Sequence, residues 1–241
     1  SMALINSIIS VYVLPVTEAL GCKRGDFTFM LTTQAISIVL TMPLWGNIFN
    51  NEKININLAL SLGALCMIAC PLLCSFATDL VMFYVAGFIG GVGIAACFTM
   101  TPVLCGNWFA KKYRGKMIGI ASAFAGVSTI FWAPLFRWII AENGWQTSYL
   151  INAILMAVLI LPWTLFVIKR KPSDKGLQPF GYDPNEKDAT ESKQSFGVKA
   201  ADALKTPAFW IIIAGVMLTA LGMGWNNSQS GIAKELLTGT P

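Results

Sequence analysis

The sequence predicts an all-α integral membrane protein, with a bundle of six transmembrane helices followed by a seventh. Two observations predict this class. Hydrophobic residues make up 55% of the chain and charged residues only 12%, a balance that supplies too little polar surface for a soluble domain. The apolar residues also fall into seven stretches of about 20 residues each, the length that a helix needs to cross a hydrocarbon core.

Short polar loops separate all of these stretches except the last two. In order, the stretches cover residues 2–20, 27–49, 54–76, 80–104, 115–140, 147–168 and 209–232. Residues 169–206, before the seventh stretch, form a long polar segment that contains three prolines, so it cannot bury a core of its own. The sequence therefore predicts a six-helix bundle over residues 1–168, a charged cytoplasmic linker over 169–206, and a helix with an outer tail over 207–241.

Lysine and arginine residues fall mainly in alternate gaps between the spans. With the N-terminus in the cytoplasm, thirteen of the 17 Lys and Arg residues lie on the cytoplasmic side. Positively charged loops are retained in the cytoplasm, so this bias predicts a cytoplasmic N-terminus. We expect a multi-pass protein of a bacterial cytoplasmic membrane. The cations after spans two and four include Lys53, Lys111, Lys112 and Arg114.

Several functional classes are excluded by the composition. The net charge of +5 requires no nucleic-acid partner, because basic residues beside spans already interact with anionic lipid headgroups. The six cysteines lack the spacing of a metal site or a disulfide framework. The chain has no histidine, so it has no Ser/His pair, and no catalytic residue is assigned. We expect a protein that is not an enzyme and has neither cofactor nor metal; its partners are the lipid bilayer and a small-molecule solute.

The order of the segments suggests one half of a larger protein. Six helices, a long charged loop and the start of a further helix are how a two-halved secondary transporter begins. An odd number of spans with a cytoplasmic N-terminus leaves Pro241 outside, after a helix without its expected neighbours. We therefore expect the C-terminal half of the same transporter as a missing partner.

The most specific motif joins the fourth and fifth spans. Residues 107–126 read NWFAKKYRGKMIGIASAFAG, which gives aromatic anchors, a basic cluster and then small residues. Glu18 begins an acid, glycine and basic run after span one, Gly144 and Trp145 precede span six, and Lys205 begins KTPAFW before span seven. In this order, the pieces resemble signatures of the major facilitator superfamily, in the branch that holds oxalate/formate antiporters and monocarboxylate transporters. The resemblance implies a major facilitator-type fold and alternating-access transport of a small organic anion, a mono- or dicarboxylate.

The loop after span two departs from the pattern of that superfamily. The superfamily usually has a glycine, an acid, a base, a second glycine and a second base there, which latch the cytoplasmic helix ends. Gly46 and Lys53 match this pattern, whereas Asn50 stands where an acid is expected. We expect Asn50 to offer only neutral hydrogen bonds. The candidate gating and topology residues are Gly46, Asn50, Lys53, Lys111, Lys112 and Arg114.

Glycines within the spans are candidates for helix packing. Small residues at intervals of three and four let helix backbones approach, which matters in lipid because no hydrophobic drive joins the helices. A nucleotide-binding glycine loop is excluded, because no strand precedes the glycines and they lie at membrane depth. The packing candidates are Gly87 and Gly91 in span four and Gly119 and Gly126 in span five.

Polar residues within spans are the candidates for contact with a solute, because hydrocarbon disfavours them. Single Ser and Thr side chains more often bond to a neighbouring helix, whereas larger polar groups need a cavity or a firm partner. Arg137 would attract an anion to the outer mouth or, alternatively, reach the interface and pair with Glu142. The candidate solute-binding residues are Tyr12, Gln34, Ser37, Thr99, Trp132, Arg137 and Asn226.

Two alternatives to an active carrier follow from the sequence. A seven-span receptor fits the number of spans, but it needs an outside N-terminus, which the Lys and Arg bias opposes. An inactive transporter fragment is the other, because the resemblance places the cations that bind carboxylate mainly in the second half of the fold.

Overall fold

The computed structural model describes residues 9–51, 53–181, 205–207, 209–211, 213–215 and 217–218. These residues belong to two compact units, residues 1–182 and residues 183–241. In the second unit, the described residues between 207 and 218 are helical, and the Phe209 amide donates to the Thr206 carbonyl oxygen at 3.1 Å. Most of the predicted linker and the rest of the predicted seventh span lie outside the described residues.

The described part of the first unit contains helices and no strand, which confirms the all-α class. Two short turns follow the last helix, a π-helical turn (Trp163–Val167) and a 3₁₀ turn (Pro172–Lys175). The five helices are α1 (Ile9–Leu20), α2 (Arg24–Asn50), α3 (Ile56–Ser75), α4 (Leu80–Trp108) and α5 (Lys111–Pro162).

The helices α2 to α5 are long and apolar enough to cross a membrane, and α1 is apolar but shorter in its described part. Together with its π turn, α5 is 57 residues long, whereas one crossing needs about 20. It bends at Gly144, whose φ of 79° and ψ of 166° are not helical. A φ in this region favours glycine, because other residues meet a steric clash there. Predicted spans five and six are therefore a first limb (residues 111–143) and a second limb (residues 145–162) of α5.

Several helices extend past the apolar stretches that predicted them. Span two was expected to begin at Phe27, but α2 begins at Arg24, and Asp26 accepts a hydrogen bond from the Lys23 amide at 3.3 Å. The basic cluster that begins at Lys111 was expected in a loop and instead forms the first turns of α5. Charged side chains can reach the interface from a helix end, so the helix need not stop where the apolar residues stop.

Small residues on α4 let α2 and α3 approach closely. A Cβ added at Gly87 would lie 2.8 Å from the Met30 carbonyl oxygen on α2, and one added at Gly93 would lie 2.5 Å from the Gly63 carbonyl oxygen on α3. Trp45 also holds α2 against α4, because its Nε1 donates to the Val92 carbonyl oxygen at 2.9 Å. The side chain of any larger residue would force these backbones apart.

One end of this unit collects most of its cations, and we call it the basic end. There α2 and α4 finish, and α3 and α5 begin, while the π turn brings the chain back to the same end. The opposite end carries the α1–α2 connection and the Gly144 bend. The cations at the basic end whose side chains the structure describes are Lys53, Lys111, Lys112, Arg114, Lys116, Lys169, Arg170 and Lys171.

The outward surface of the helices is apolar. Val39 on α2 and Phe131 on α5 are each 71% exposed, and Leu58 on α3 is 69% exposed. Large apolar side chains at this exposure on several helices are typical of a surface in contact with lipid.

Candidate functional site

Tyr12 joins α1 to the second limb of α5. Its hydroxyl shares a 2.8 Å hydrogen bond with the Ser148 hydroxyl, and its ring stacks on Tyr149 with centroids 3.9 Å apart and planes 14° apart. Both side chains are buried. The stack therefore places two phenol groups side by side inside the bundle.

Trp132 and Phe136 extend this group onto the first limb of α5. The Phe136 ring lies 6.5 Å from the ring of Tyr12 and 6.3 Å from that of Trp132. Trp132 is partly buried and packs against the same core. Two predicted site residues from separate spans, Tyr12 and Trp132, are thus connected through Phe136.

Four buried side-chain atoms in the bundle have no hydrogen-bond partner among the described residues. On the second limb of α5 they are the Tyr149 hydroxyl and Asn152 Oδ1, and on α2 they are Gln34 Nε2 and the Ser37 hydroxyl. Burying such a group unpaired costs about 1–3 kcal/mol in proteins. Groups of this kind require an explanation, and a polar ligand is one.

Gln34 and Ser37 lie where α2 meets α4. A Cβ added at Gly90 would lie 3.6 Å from Gln34 Nε2, and one added at Gly91 would lie 2.8 Å from the Cβ of Ser37. The absence of side chains at these two glycines leaves room for the polar side chains of α2. This pair sits between α2 and α4, whereas the Tyr12 group sits between α1 and α5.

The remaining predicted solute-binding residues lie apart from both groups. Thr99 is partly buried and donates to the Ala95 carbonyl oxygen of its own helix at 2.8 Å, which is a common local bond for threonine. Arg137 is exposed near the Gly144 bend, and no ion pair joins it to Glu142, although both residues are described. Asn226 lies outside the described residues.

Three residues of the second limb were not selected from the sequence. Ser148, Tyr149 and Asn152 are all buried, and each carries a polar group into the bundle. Their spacing was an available signal, because residues 148 and 152 lie one turn apart on a single helix face. The long sequence separation between Tyr12 and Ser148, in contrast, hid their contact.

Most of the predicted gating and topology residues are exposed at the basic end, where Gly46 is partly buried. Asn50, Lys53, Lys111 and Lys112 present exposed side chains, and a Cβ added at Gly46 would meet nothing within 4 Å. Arg114, also exposed, donates from Nε to the Phe109 carbonyl oxygen at 3.1 Å.

Arg170, which the sequence analysis used only for topology, holds the end of α2. Its Nη2 donates to the carbonyl oxygens of Phe49 at 2.9 Å and of Asn51 at 3.0 Å. The last carbonyl oxygens of a helix lack partners within the helix, and a cation there also interacts favourably with the helix dipole. Arg170 therefore caps α2 from a position 119 residues away from Asn51.

Other contacts fasten the same segment to α3 and α4. The Asn107 side chain donates to the Arg170 carbonyl oxygen at 3.1 Å, and Trp108 Nε1 donates to the Lys169 carbonyl oxygen at 3.0 Å. Asn57 Nδ2 donates to the carbonyl oxygens of Thr164 at 3.1 Å and Leu165 at 2.9 Å. The chain after the second limb is thus held by side chains from two other helices.

The predicted packing glycines differ in their surroundings. A Cβ at Gly91 would lie 2.5 Å from the Gln34 carbonyl oxygen, and Gly87 is equally confined against α2. At Gly119 and Gly126 on the first limb, an added Cβ would meet nothing within 4 Å. Of these four predicted packing glycines, the two on α4 are the ones in tight contact.

Comparison with known proteins yields a match over almost the whole chain. The family model described as Major Facilitator Superfamily matches residues 1–233.

Individual relatives are more distant. The uncharacterized MFS-type transporter YcxA of Bacillus subtilis is 24% identical over 168 residues, which cover 67% of this chain and 39% of that protein. Monocarboxylate transporter 13 of Rattus norvegicus is 33% identical over 90 residues, 37% of this chain and 21% of that protein. The multidrug efflux pump SdrM of Staphylococcus aureus is 25% identical over 186 residues, 74% of this chain and 41% of that protein. The chain spans at most about two fifths of the length of these relatives.

Proposed function

The chain belongs to the major facilitator superfamily, and from this premise we propose that it carries a small organic anion across the membrane by alternating access. In that mechanism one bundle of helices rocks against another around a central site. The observation that carries the proposal is the presence of two sets of buried polar atoms that have no partner among the described residues, one on α2 and one on the second limb of α5. Two relatives of the chain are named as transporters and one as an efflux pump, which favours a transport protein over an enzyme or a receptor.

A mono- or dicarboxylate is the substrate class that the polar groups favour. The Tyr149 hydroxyl and the Gln34 side-chain amide can both donate hydrogen bonds, and a carboxylate accepts such bonds in a charge-assisted form. A relative named as a monocarboxylate transporter supports the same class. These donors are neutral, so we propose that the counter-charge comes from the C-terminal half of the same transporter, as the resemblance implies.

The proposal includes an orientation and a location. The basic end carries eight cations whose side chains the structure describes, and positively charged segments are retained in the cytoplasm. The basic end therefore faces the cytoplasm of a bacterial cell, and the Gly144 bend faces outside. Because α1 runs from the basic end to the opposite end, the N-terminus is cytoplasmic.

Uptake into membrane vesicles tests this function. The gene that encodes the chain is expressed with its full reading frame, and uptake of labelled lactate, oxalate and succinate is compared with vesicles from cells that carry an empty vector. We expect saturable uptake of at least one carboxylate, and faster uptake when the vesicles are preloaded with the unlabelled anion, as an antiporter requires.

The same vesicles distinguish a second candidate, drug efflux, which the similarity to SdrM favours. Inverted vesicles are given a fluorescent lipophilic cation in place of the carboxylate. Transport of the cation without any carboxylate uptake would contradict the proposed substrate class. No transport of either compound would contradict an active carrier.

A further inference from the structure

A cavity of about 420 Å³ lies at the basic end, apart from the Tyr12 and Gln34 groups. Two segments line it, residues 54–57 at the start of α3 and residues 169–171 after the π turn. We propose that this cavity binds the headgroup of an anionic phospholipid. The proposal rests on membership of a membrane family and does not depend on the substrate.

The charge of the lining suits a phosphate group. Lys169, Arg170 and Lys171 contribute three cations in succession, and Lys53 directly precedes the first lining residue. Neither lining segment contains an acid; in the sequence, Glu52 precedes Lys53, and Asp174 follows Lys171 by three residues. Basic pockets between transmembrane helices on the cytoplasmic side are typical sites for anionic lipid headgroups.

Hydrogen-bond donors are also available at the cavity. Arg170 uses Nη2 for the end of α2, but its Nε is buried and has no partner among the described residues. The cavity also includes the first residues of the 20-residue helix α3, and a helix N-terminus favours an anion through its dipole and its unpaired amides. One of these amides, that of Asn57, is already bonded to Asn55 Oδ1 at 3.1 Å.

The surroundings favour a lipid over a free anion. Leu58 follows the lining of α3 directly and is 69% exposed, while Phe166 precedes Lys169 by three residues and is 77% exposed. Acyl chains can lie against these two side chains while the phosphate enters the cavity. Trp108, whose Nε1 bonds to the Lys169 carbonyl oxygen, is a residue type enriched at the headgroup level of membranes.

Native mass spectrometry of the purified full chain tests the site, with short-chain phosphatidylglycerol as the probe and phosphatidylcholine of equal chain length as the neutral comparison. The double variant Lys169→Gln/Lys171→Gln removes two cations from the cavity and leaves the α2 contact of Arg170 intact. The matched control Lys112→Gln/Lys116→Gln removes two exposed cations from the same end outside the cavity. We expect the first variant to weaken phosphatidylglycerol binding about tenfold or more and the control to leave it unchanged.

Three results would overturn the proposal. The first is that both double variants weaken phosphatidylglycerol binding equally, and the second is that the unmodified chain binds phosphatidylcholine as well as phosphatidylglycerol. The third is displacement of phosphatidylglycerol by inorganic phosphate, which would indicate a site for free anions. Should the glutamine variant fail to fold, Lys169→Arg/Lys171→Arg must retain binding. The unmodified chain must also bind phosphatidylglycerol more weakly as salt concentration rises; binding that is independent of salt would count against the site.

Discussion

At the basic end, Arg170 and Asn57 each donate two hydrogen bonds to carbonyl oxygens, and only Arg170 Nε is left buried without a partner among the described residues. Inside the bundle, Gln34, Tyr149 and Asn152 instead hold buried polar atoms that have no partner among the described residues. Both regions are embedded in an apolar helical unit, so their difference does not come from overall composition. It comes from what each region must do.

Polar groups bonded to helix ends fix the positions of those ends, because a backbone carbonyl that loses its partner is costly. Unpaired polar groups in the interior do not hold any helix in position, and they lower the stability of the fold unless a ligand pairs with them. The basic end is therefore expected to determine stability, and the buried polar groups are expected to determine transport. Variants in the two regions should separate these properties.

The largest loss of stability is expected for Arg170→Leu. The substitution leaves the carbonyl oxygens of Phe49 and Asn51 without their charged donor, which should cost about 2–3 kcal/mol of unfolding free energy. Reversible unfolding in mixed micelles measures this. Lys53→Leu removes an exposed cation from the same end and should change the unfolding free energy little. Equal losses in the two variants would show that Arg170 acts only through its positive charge and not through its two hydrogen bonds.

The next largest loss of stability is expected for Gly91→Ala. The new Cβ would lie 2.5 Å from the Gln34 carbonyl oxygen, so α2 and α4 must separate at a cost of about 1–3 kcal/mol. Gly119→Ala is the matched control, because its Cβ meets nothing within 4 Å and alanine favours a helix by about 1 kcal/mol. Thermal unfolding should therefore move in opposite directions, and a shift in the same direction would contradict the assigned contact.

Tyr12→Phe should have a smaller effect, about 1 kcal/mol, because it removes one neutral hydrogen bond and leaves the Ser148 hydroxyl buried and unpaired. Ser148→Ala removes the other partner. If the two hydroxyls bond as observed, the double variant should be less destabilised than the sum of the single variants. Additive effects would indicate that the bond does not contribute.

The smallest stability effect is expected for Ser37→Ala, which removes a buried hydroxyl that has no partner in the described part of the chain. Because no hydrogen bond is lost, the unfolding free energy should stay the same or rise slightly. Uptake of the carboxylate should nevertheless fall if this hydroxyl binds the solute. A clear loss of stability would mean that Ser37 is a structural residue and would weaken the comparison between the two regions.

The sequence predicted the helical class and the approximate positions of the spans, because lipid requires long apolar stretches. It did not predict the helix ends, since Arg24 and Lys111 extend helices with charged residues that still reach water. The sequence did predict a break before span six, where Gly144 and Trp145 stand, but not that the two helices would meet at a bend of a single glycine.

Only part of the candidate site could be derived from the sequence. Tyr12 and Gln34 stood out because their large polar groups need partners in lipid. Tyr149 and Arg170 did not, because Tyr149 stacks on Tyr12 and Arg170 bonds to Phe49, and both partners lie more than 100 positions away. The run of bases that contains Arg170 indicated topology, and the same residues turned out to cap a helix.

Uptake of labelled carboxylate by Gln34→Leu, relative to Gln146→Leu, tests the central claim most directly. Gln34 is 4% exposed, and its Nε2 has no partner among the residues that the structure describes, whereas Gln146 is exposed near the bend. Loss of a hydrogen bond to a charged solute corresponds to about a tenfold or greater decrease in uptake at limiting solute. We predict this decrease for Gln34→Leu alone, with its folded fraction unchanged; equal uptake by both variants would contradict a solute site among the buried polar groups.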